Sequence, residues 1–365
     1  MERGGEEAAF FIAGISKKVT TVTKSVAEYV FDDLPERGRA KEVAPGVFWL
    51  RMPLPFQLNH INLWLLEDGD GWTIVDTGFA NDDVKACWED VFDNVFDGKP
   101  VNKIVVTHFH PDHLGLAGWL QERFNAPLLI TLGEFAFGRM LSLDDGLGPR
   151  LKIFTDFYGK AGFDDELMEF VSTRGNPYPK RVVPIPGAYQ RLRDGETFEV
   201  NGHDWKVIVG TGHSPEHACL YCEDLNVLIS GDQILPRISP NVSVWPQEPE
   251  SNPLQLFLDS LERFGDLPED VLVLPSHDTP FRNLHGRLNQ LAHHHDARLE
   301  ETFDACAEPA TAAQVLKSLF TRELDSHQVF FAIGESLAHL HYLKGLGRIE
   351  RALGEDGVYR FSQSA

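Results

Sequence analysis

From Gly46 onward the chain alternates between two hydrophobic rhythms. "GVFWLRMP" and "INLWLLEDGDGWTIVDTG" are apolar and aromatic runs interrupted by the turn signal "EDGDG", a strand pattern. "DDVKACWEDVFDNVF" then spaces Val84, Cys87, Trp88, Val91 and Val95 at helical intervals. "VNKIVVTH" reads as a short buried strand, "HLGLAGWLQERFN" as a helix ending near Asn125, and "PLLIT" as another strand. Strand, helix, strand, helix, strand predicts a layered α/β core.

Residues 134–180 are less regular and read as a helical insertion, with helices in "EFAFGRMLSL" and "PRLKIFTDFYGKAGF". "ETFEVNGHDWKVIVGTGHS" predicts a hairpin turning on Asn201-Gly202. "HACLYCEDLNVLIS" predicts two strands with a turn near Asp224-Leu225-Asn226. Strands in "VLISGDQIL" and "DVLVLPSH" flank a helix whose apolar face is Leu254, Leu258, Leu261 and Phe264. After Pro280 come a long helical run, a second helix capped by Thr311, a third ending at Gly345-Leu346-Gly347, and a hairpin in "RIERALGEDGVYRFS". That order is a winged-helix pattern. The expected layout is an extension over 1–43 with a helix near Val22 to Phe31, a catalytic unit over 44–285, and a winged-helix-like unit over 286–365.

Composition narrows the function classes. In 365 residues, 42% hydrophobic and 24% charged content suits a globular protein with a real core. A net charge of −22 argues against broad affinity for nucleic acid or anionic membrane. The apolar stretch Ala8 to Gly14 is far below the roughly 18 residues a bilayer needs, and it follows Glu6-Glu7 rather than a basic region. Four cysteines make no disulfide framework, so a cytoplasmic location is expected. Cys219 and Cys222 spell C-x-x-C, but on a strand positions three apart face opposite sides, so the pair reads as structural.

The chemistry concentrates in "THFHPDHLG", residues 107–115, where three histidines and an aspartate fall within six positions after an apolar strand. Further titratable residues recur where strands end: Asp76, His213 in "GTGHSPEH", Asp232 in "SGDQIL" and His277 in "LPSHDTP". In a layered α/β fold such loops converge on one cleft. Imidazole nitrogens and carboxylate oxygens are the donors that zinc-like divalent ions take. His108 and His110 project alike from an extended loop end, and Asp112 and His113 turn into a helix start after Pro111. His108, His110, Asp112, His113, His213, Asp232 and His277 supply enough donors for two metals.

These five motifs, in this order, resemble those of metallo-β-lactamase-fold hydrolases over roughly residues 44–285, closer to the hydroxyacylglutathione hydrolase branch than to true β-lactamases. The resemblance implies an αββα sandwich. It implies that His108, His110 and His213 bind one ion, that Asp112, His113 and His277 bind a second, and that Asp232 bridges them. Asp76 orients the ligand loop, and Asp112 and Asp76 are the carboxylates assigned to catalysis. Two divalent ions, zinc by default with iron or manganese open, would generate a hydroxide from water near neutral pH. The hydroxide would attack a small ester, thioester, lactone or amide, and no G-x-S-x-G elbow is present.

Other residues read more plainly. His293-His294-His295 fans around a helix and cannot all face one ion. His217, His60 and Trp245 are secondary candidates for the cleft, each weighed against an ordinary packing role. A nuclease or phosphodiesterase is the main alternative function. The tail argues against it, with 9 Lys/Arg against 11 Asp/Glu over residues 281–365 where a basic stripe is expected. The tail instead reads as a packing or dimerisation element that walls the site. A mononuclear iron sulfur dioxygenase is the third reading. The expected partner is a small-molecule substrate.

Overall fold

The computed structural model describes residues 26–364 apart from 145, 147, 326 and 327. Two seven-stranded sheets pack face to face. The first contains β2 (Lys41–Ala44), β3 (Val47–Pro53), β4 (His60–Asp68), β5 (Gly71–Val75), β6 (Val101–Val105), β7 (Leu128–Thr131) and β8 (Gln190–Leu192), in that order. Pairing is antiparallel from β2 to β5 and parallel from β5 to β8. The second sheet runs β1 (Glu28–Tyr29), β14 (Phe281–Arg282), β13 (Leu272–Pro275), β12 (Val227–Gly231), β11 (His217–Cys222), β10 (His203–Gly210) and β9 (Thr197–Val200). Only β12 and β13 pair in parallel within it, joined by the crossover helix α7 (Pro253–Leu261).

The apolar pattern explains the layers. Trp49, Trp64, Val75, Val105, Trp205, Val207, Leu220 and Ile229 fill the space between the sheets. Leu63, Ile74 and Ile104 face the other way, against α1 (Asp82–Val91) and α3 (Ala117–Phe124). Ile208, Leu228 and Val273 face α7 and the C-terminal helices. Helix, sheet, sheet, helix is the expected αββα order. Cys219 lies in the outer core and Cys222 in the inter-sheet core, so the C-x-x-C pair does point to opposite faces.

Among the described residues, 134–180 carry three α-helices, α4 (Leu132–Leu143), α5 (Pro149–Ala161) and α6 (Asp165–Arg174), and a 3-10 turn over Tyr178–Lys180. The tail follows as α8 (Leu284–Ala305), α9 (Ala312–Leu319), α10 (Gln328–Gly345), β15 (Ile349–Leu353) and β16 (Tyr359–Gln363). A capping box at Thr311 starts α9, as the sequence suggests. Phe330 of α10 packs on Tyr158, Phe163 and Phe170, so the tail and the insertion share one core. No helix among the described residues is long and apolar enough to cross a membrane.

Four local expectations change. The expected helix from Val22 to Phe31 lies partly outside the described residues, and Glu28–Tyr29 is a strand paired with Phe281–Arg282. "HLGLAGWLQERFN" breaks into α2 (Pro111–Leu114) and α3 at Leu116, whose φ −104° and ψ 11° leave helical geometry, while Gly115 packs so closely on Gly78 that a Cβ there would lie 2.5 Å from Gly78 O. A π-helical turn over Phe92–Phe96 continues α1 and shifts its register, burying Phe92 and Phe96 while Val95 is half-buried. On α7, Phe257 is buried and Leu258 half-buried.

Candidate metal centre

Each predicted site residue follows the C-terminal end of a strand: Asp76 after β5, the 108–113 cluster after β6, His213 after β10, Asp232 after β12 and His277 after β13. Strand ends from both sheets therefore meet at one rim of the sandwich. Asp76 takes a left-handed backbone, φ 63°, unusual for a residue with a Cβ. That turn aims its carboxylate back at the β6 loop, where it accepts from Thr107 N–H (2.8 Å) and from His113 Nδ1–H (2.8 Å). Thr77 adds two bonds to His113 O, from its own N–H (2.8 Å) and hydroxyl (2.6 Å).

Ring orientation follows from the outer hydrogen bonds. His213 Nδ1–H donates to Asn241 O (2.8 Å) and His277 Nδ1–H to His60 O (2.9 Å). A carbonyl can only accept, so both rings carry the proton on Nδ1 and turn Nε2 inward. His113 is fixed in the same sense by Asp76, and His108 Nδ1 lies 3.1 Å from Thr107 Oγ1. His110 presents Nδ1 instead, 2.8 Å from His108 Nε2.

The inward atoms form two groups, His108, His110, His213 and Asp232 in one and Asp112, His113 and His277 in the other, each with its donor atoms within 4.8 Å of one another. Asp232 joins them. Its Oδ2 lies 3.9 Å from His108 Nε2 and 3.6 Å from His213 Nε2. Its Oδ1 lies 3.6 Å from His113 Nε2 and 3.3 Å from His277 Nε2. Asp112 Oδ2 is 3.7 Å from both His113 Nε2 and His277 Nε2. Donors about 2.0–2.1 Å from a tetrahedral ion stand roughly 3.3 Å apart, so these spacings suit shared cations better than direct hydrogen bonds. His113 Nε2 and Asp232 Oδ1 are buried with no hydrogen-bond partner, which fits atoms reserved for a ligand.

Electrostatics distinguish the two groups. Burial, with the neighbouring histidines, holds His108 and His110 well below the usual imidazole range, so they are neutral, the ligating form. Burial opposes charge on His113 and His277 too, but nearby carboxylates outweigh it and raise both. Burial works against ionised Asp232, yet His277 and His113 hold its pKa well below the carboxylate range. The second group is thus a site of stronger mutual attraction between acids and imidazoles.

The secondary candidates separate. His217 is fully buried, stacks on His108 (ring centroids 4.7 Å apart), and accepts the backbone N–H of Asp232 on Nε2 at 3.1 Å. His60 lends its carbonyl to His277 and accepts Asp278 N–H on Nε2 (2.8 Å). Trp245 sits edge-on to Phe331 of α10. His295 packs against His339 inside the tail, in neither donor group. Sequence reasoning passes over Asn62, whose amide donates to Pro275 O and Asp278 O (both 2.8 Å) and so frames the His277 loop. It also passes over Glu134. Both are isolated polar residues in apolar segments, and that is the signal they carry.

Comparison with known proteins matches the chain to the metallo-beta-lactamase superfamily over residues 57–277 and to the metallo-beta-lactamase-like C-terminal domain over residues 299–364. A probable metallo-hydrolase, YqjP of Bacillus subtilis (strain 168), is 24% identical over 82% of this chain and 92% of its own length. The crystal structure of a beta-lactamase domain protein from Burkholderia ambifaria is 47% identical with a TM-score of 0.86, covering 93% of this chain and 98% of that one. A metallo-beta-lactamase family protein from Thermus thermophilus is 32% identical with a TM-score of 0.75, covering 88% of this chain and 100% of that one. With a cluster of histidines and aspartates at the shared rim of two sheets and both family regions matched, the chain belongs to the metallo-beta-lactamase superfamily and is a metal-dependent hydrolase.

Proposed function

We propose that the chain is a binuclear hydrolase of small carbonyl substrates: esters, thioesters, lactones or amides. The observation that carries this reading is the division of Asp232, one carboxylate oxygen toward His108 and His213 and the other toward His113 and His277. His108, His110 and His213 would hold one ion, Asp112, His113 and His277 the other, with Asp232 between. Zinc is the ion assigned, because a set of imidazoles and carboxylates in near-tetrahedral spacing suits it. When bound, such ions supply Lewis acidity and acidify a water toward neutrality.

The chain's own residues do the rest. Asp76, Asn241 and His60 hold His113, His213 and His277 by Nδ1–H, so each ring already turns Nε2 inward. Cys219 and Cys222 are kept as thiols by burial, and the Ser214 hydroxyl is engaged by Glu134. The Tyr178 hydroxyl donates to Phe109 O, and burial, with Glu134 and Asp112 nearby, raises its pKa, so it is not a ready acid. In this reading water is the attacking group.

A panel of thioester, carboxyl ester, lactone, β-lactam and phosphodiester substrates tests this. Turnover confined to carbonyl substrates, lost to a chelator and restored by zinc, is expected. Phosphodiester cleavage alone, or oxygen consumption with one bound iron and no hydrolysis, would overturn the reading.

A further inference from the structure

Glu134 is fully buried at the start of α4, and no cation reaches its carboxylate among its hydrogen-bond partners. Its Oε2 accepts Phe109 N–H (2.9 Å), and its Oε1 accepts Ser214 Oγ–H (2.7 Å) and Glu216 N–H (2.6 Å). An acid serving its own helix would bond to the N–H groups of that helix's first turn. These three donors all come from elsewhere. Phe109 stands between His108 and His110, and Ser214 follows His213. One carboxylate thus ties together the two loops that carry the first donor group.

The tie is reciprocal. Glu216 Oε2 accepts Gly133 N–H (2.6 Å), and Thr131 Oγ1 donates to Glu216 O (2.8 Å). Gly133 permits this closeness, since a Cβ there would stand 3.0 Å from Glu216 Cγ. The second donor group is held differently. His113 is framed by Asp76 and Thr77, and His277 by His60.

We infer that Glu134 is a positioning residue selective for the first metal site, setting the spacing between His213 and the His108–His110 pair. The inference rests on the binuclear reading above. Burial raises the Glu134 carboxyl to about 7, against three donors that favour its ionised form. Retaining an acid there, where a neutral or apolar side chain would avoid the burial cost, is consistent with a need for several acceptor lone pairs.

Glu134→Gln isolates the effect. The Gln oxygen must stay on the side of Ser214 and Glu216, which leaves the amide NH2 facing Phe109 N–H, donor against donor. Zinc affinities would be measured by chelator competition on the whole chain and on two backgrounds: Asp112→Ala, which keeps the first donor group, and His110→Ala, which keeps the second. A fall of about 10–100-fold on the first background, with little change on the second, is expected. Ser214→Ala should give a smaller loss of the same selectivity, and serves should Glu134→Gln fail to fold. Equal losses at both sites, or a lowered melting temperature with both affinities intact, would reduce Glu134 to a structural residue and overturn the inference. A wild-type chain that binds a single ion would instead sink the binuclear reading, and that ion's affinity in Glu134→Gln would still judge the clamp.

Discussion

Asp76 grips the Nδ1–H of His113 at 2.8 Å from a backbone held at φ 63°. Asparagine tolerates that left-handed conformation, so Asp76→Asn keeps the turn and changes only the acceptor. Its single carbonyl oxygen cannot serve both Thr107 N–H and His113 Nδ1–H. Zinc affinity and turnover should fall about 10–100-fold while the circular dichroism spectrum stays as in the wild type. Zinc competition reads this directly, and wild-type affinity would remove Asp76 from the role of orienting His113.

His217 and Gly231 form a second support. Gly231 lies at φ 54°, and a Cβ there would come within 2.4 Å of His217 Cε1. Because His217 Nε2 accepts Asp232 N–H, its proton sits on Nδ1, facing Cys219 Sγ at 3.5 Å. His217→Ala leaves a buried N–H unpaired, at a cost of about 1–3 kcal/mol. Gly231→Ala brings backbone strain and a clash. In the double variant the clash disappears, so the two losses should couple by about 1 kcal/mol or more in urea unfolding. Additive losses would mean that the ring and the glycine do not meet.

Acid should weaken the tail through His339. This ring donates Nδ1–H to Glu335 O (2.8 Å), so its Nε2 accepts from His295 Nδ1 (3.3 Å). Burial, chiefly, lowers its pKa from 6.5 to about 4. Between these values the unfolded chain binds the proton and the folded chain does not. Stability is therefore lost as pH falls from about 6.5 to about 4, by about 3 kcal/mol at most from this group. His339→Gln keeps one donor and one acceptor without titrating. Its melting temperature should fall less steeply over that window than the wild type's, and parallel curves would contradict the assignment.

Much of the fold was legible because its strands are continuous apolar runs ended by turn residues. Asn201-Gly202, both at positive φ, closes the hairpin that the sequence predicts. The donor cluster was legible because His108, His110, Asp112 and His113 are contiguous. What hid were relationships made by long-range contact. Nothing near Gly115 in sequence announces that the backbone of Gly78 will press on it. Nothing near Glu134 announces that residues 109, 214 and 216 will converge on it. The pairing of Glu28–Tyr29 with Phe281–Arg282 joins positions about 250 residues apart, beyond any local pattern.

Elemental analysis of the purified wild type beside Asp232→Ala tests whether Asp232 serves two ions at once. Near two zinc per wild-type chain, falling to one or fewer in the variant together with loss of carbonyl hydrolysis, is the predicted result. One ion per wild-type chain, or two that persist with full activity in Asp232→Ala, would contradict it.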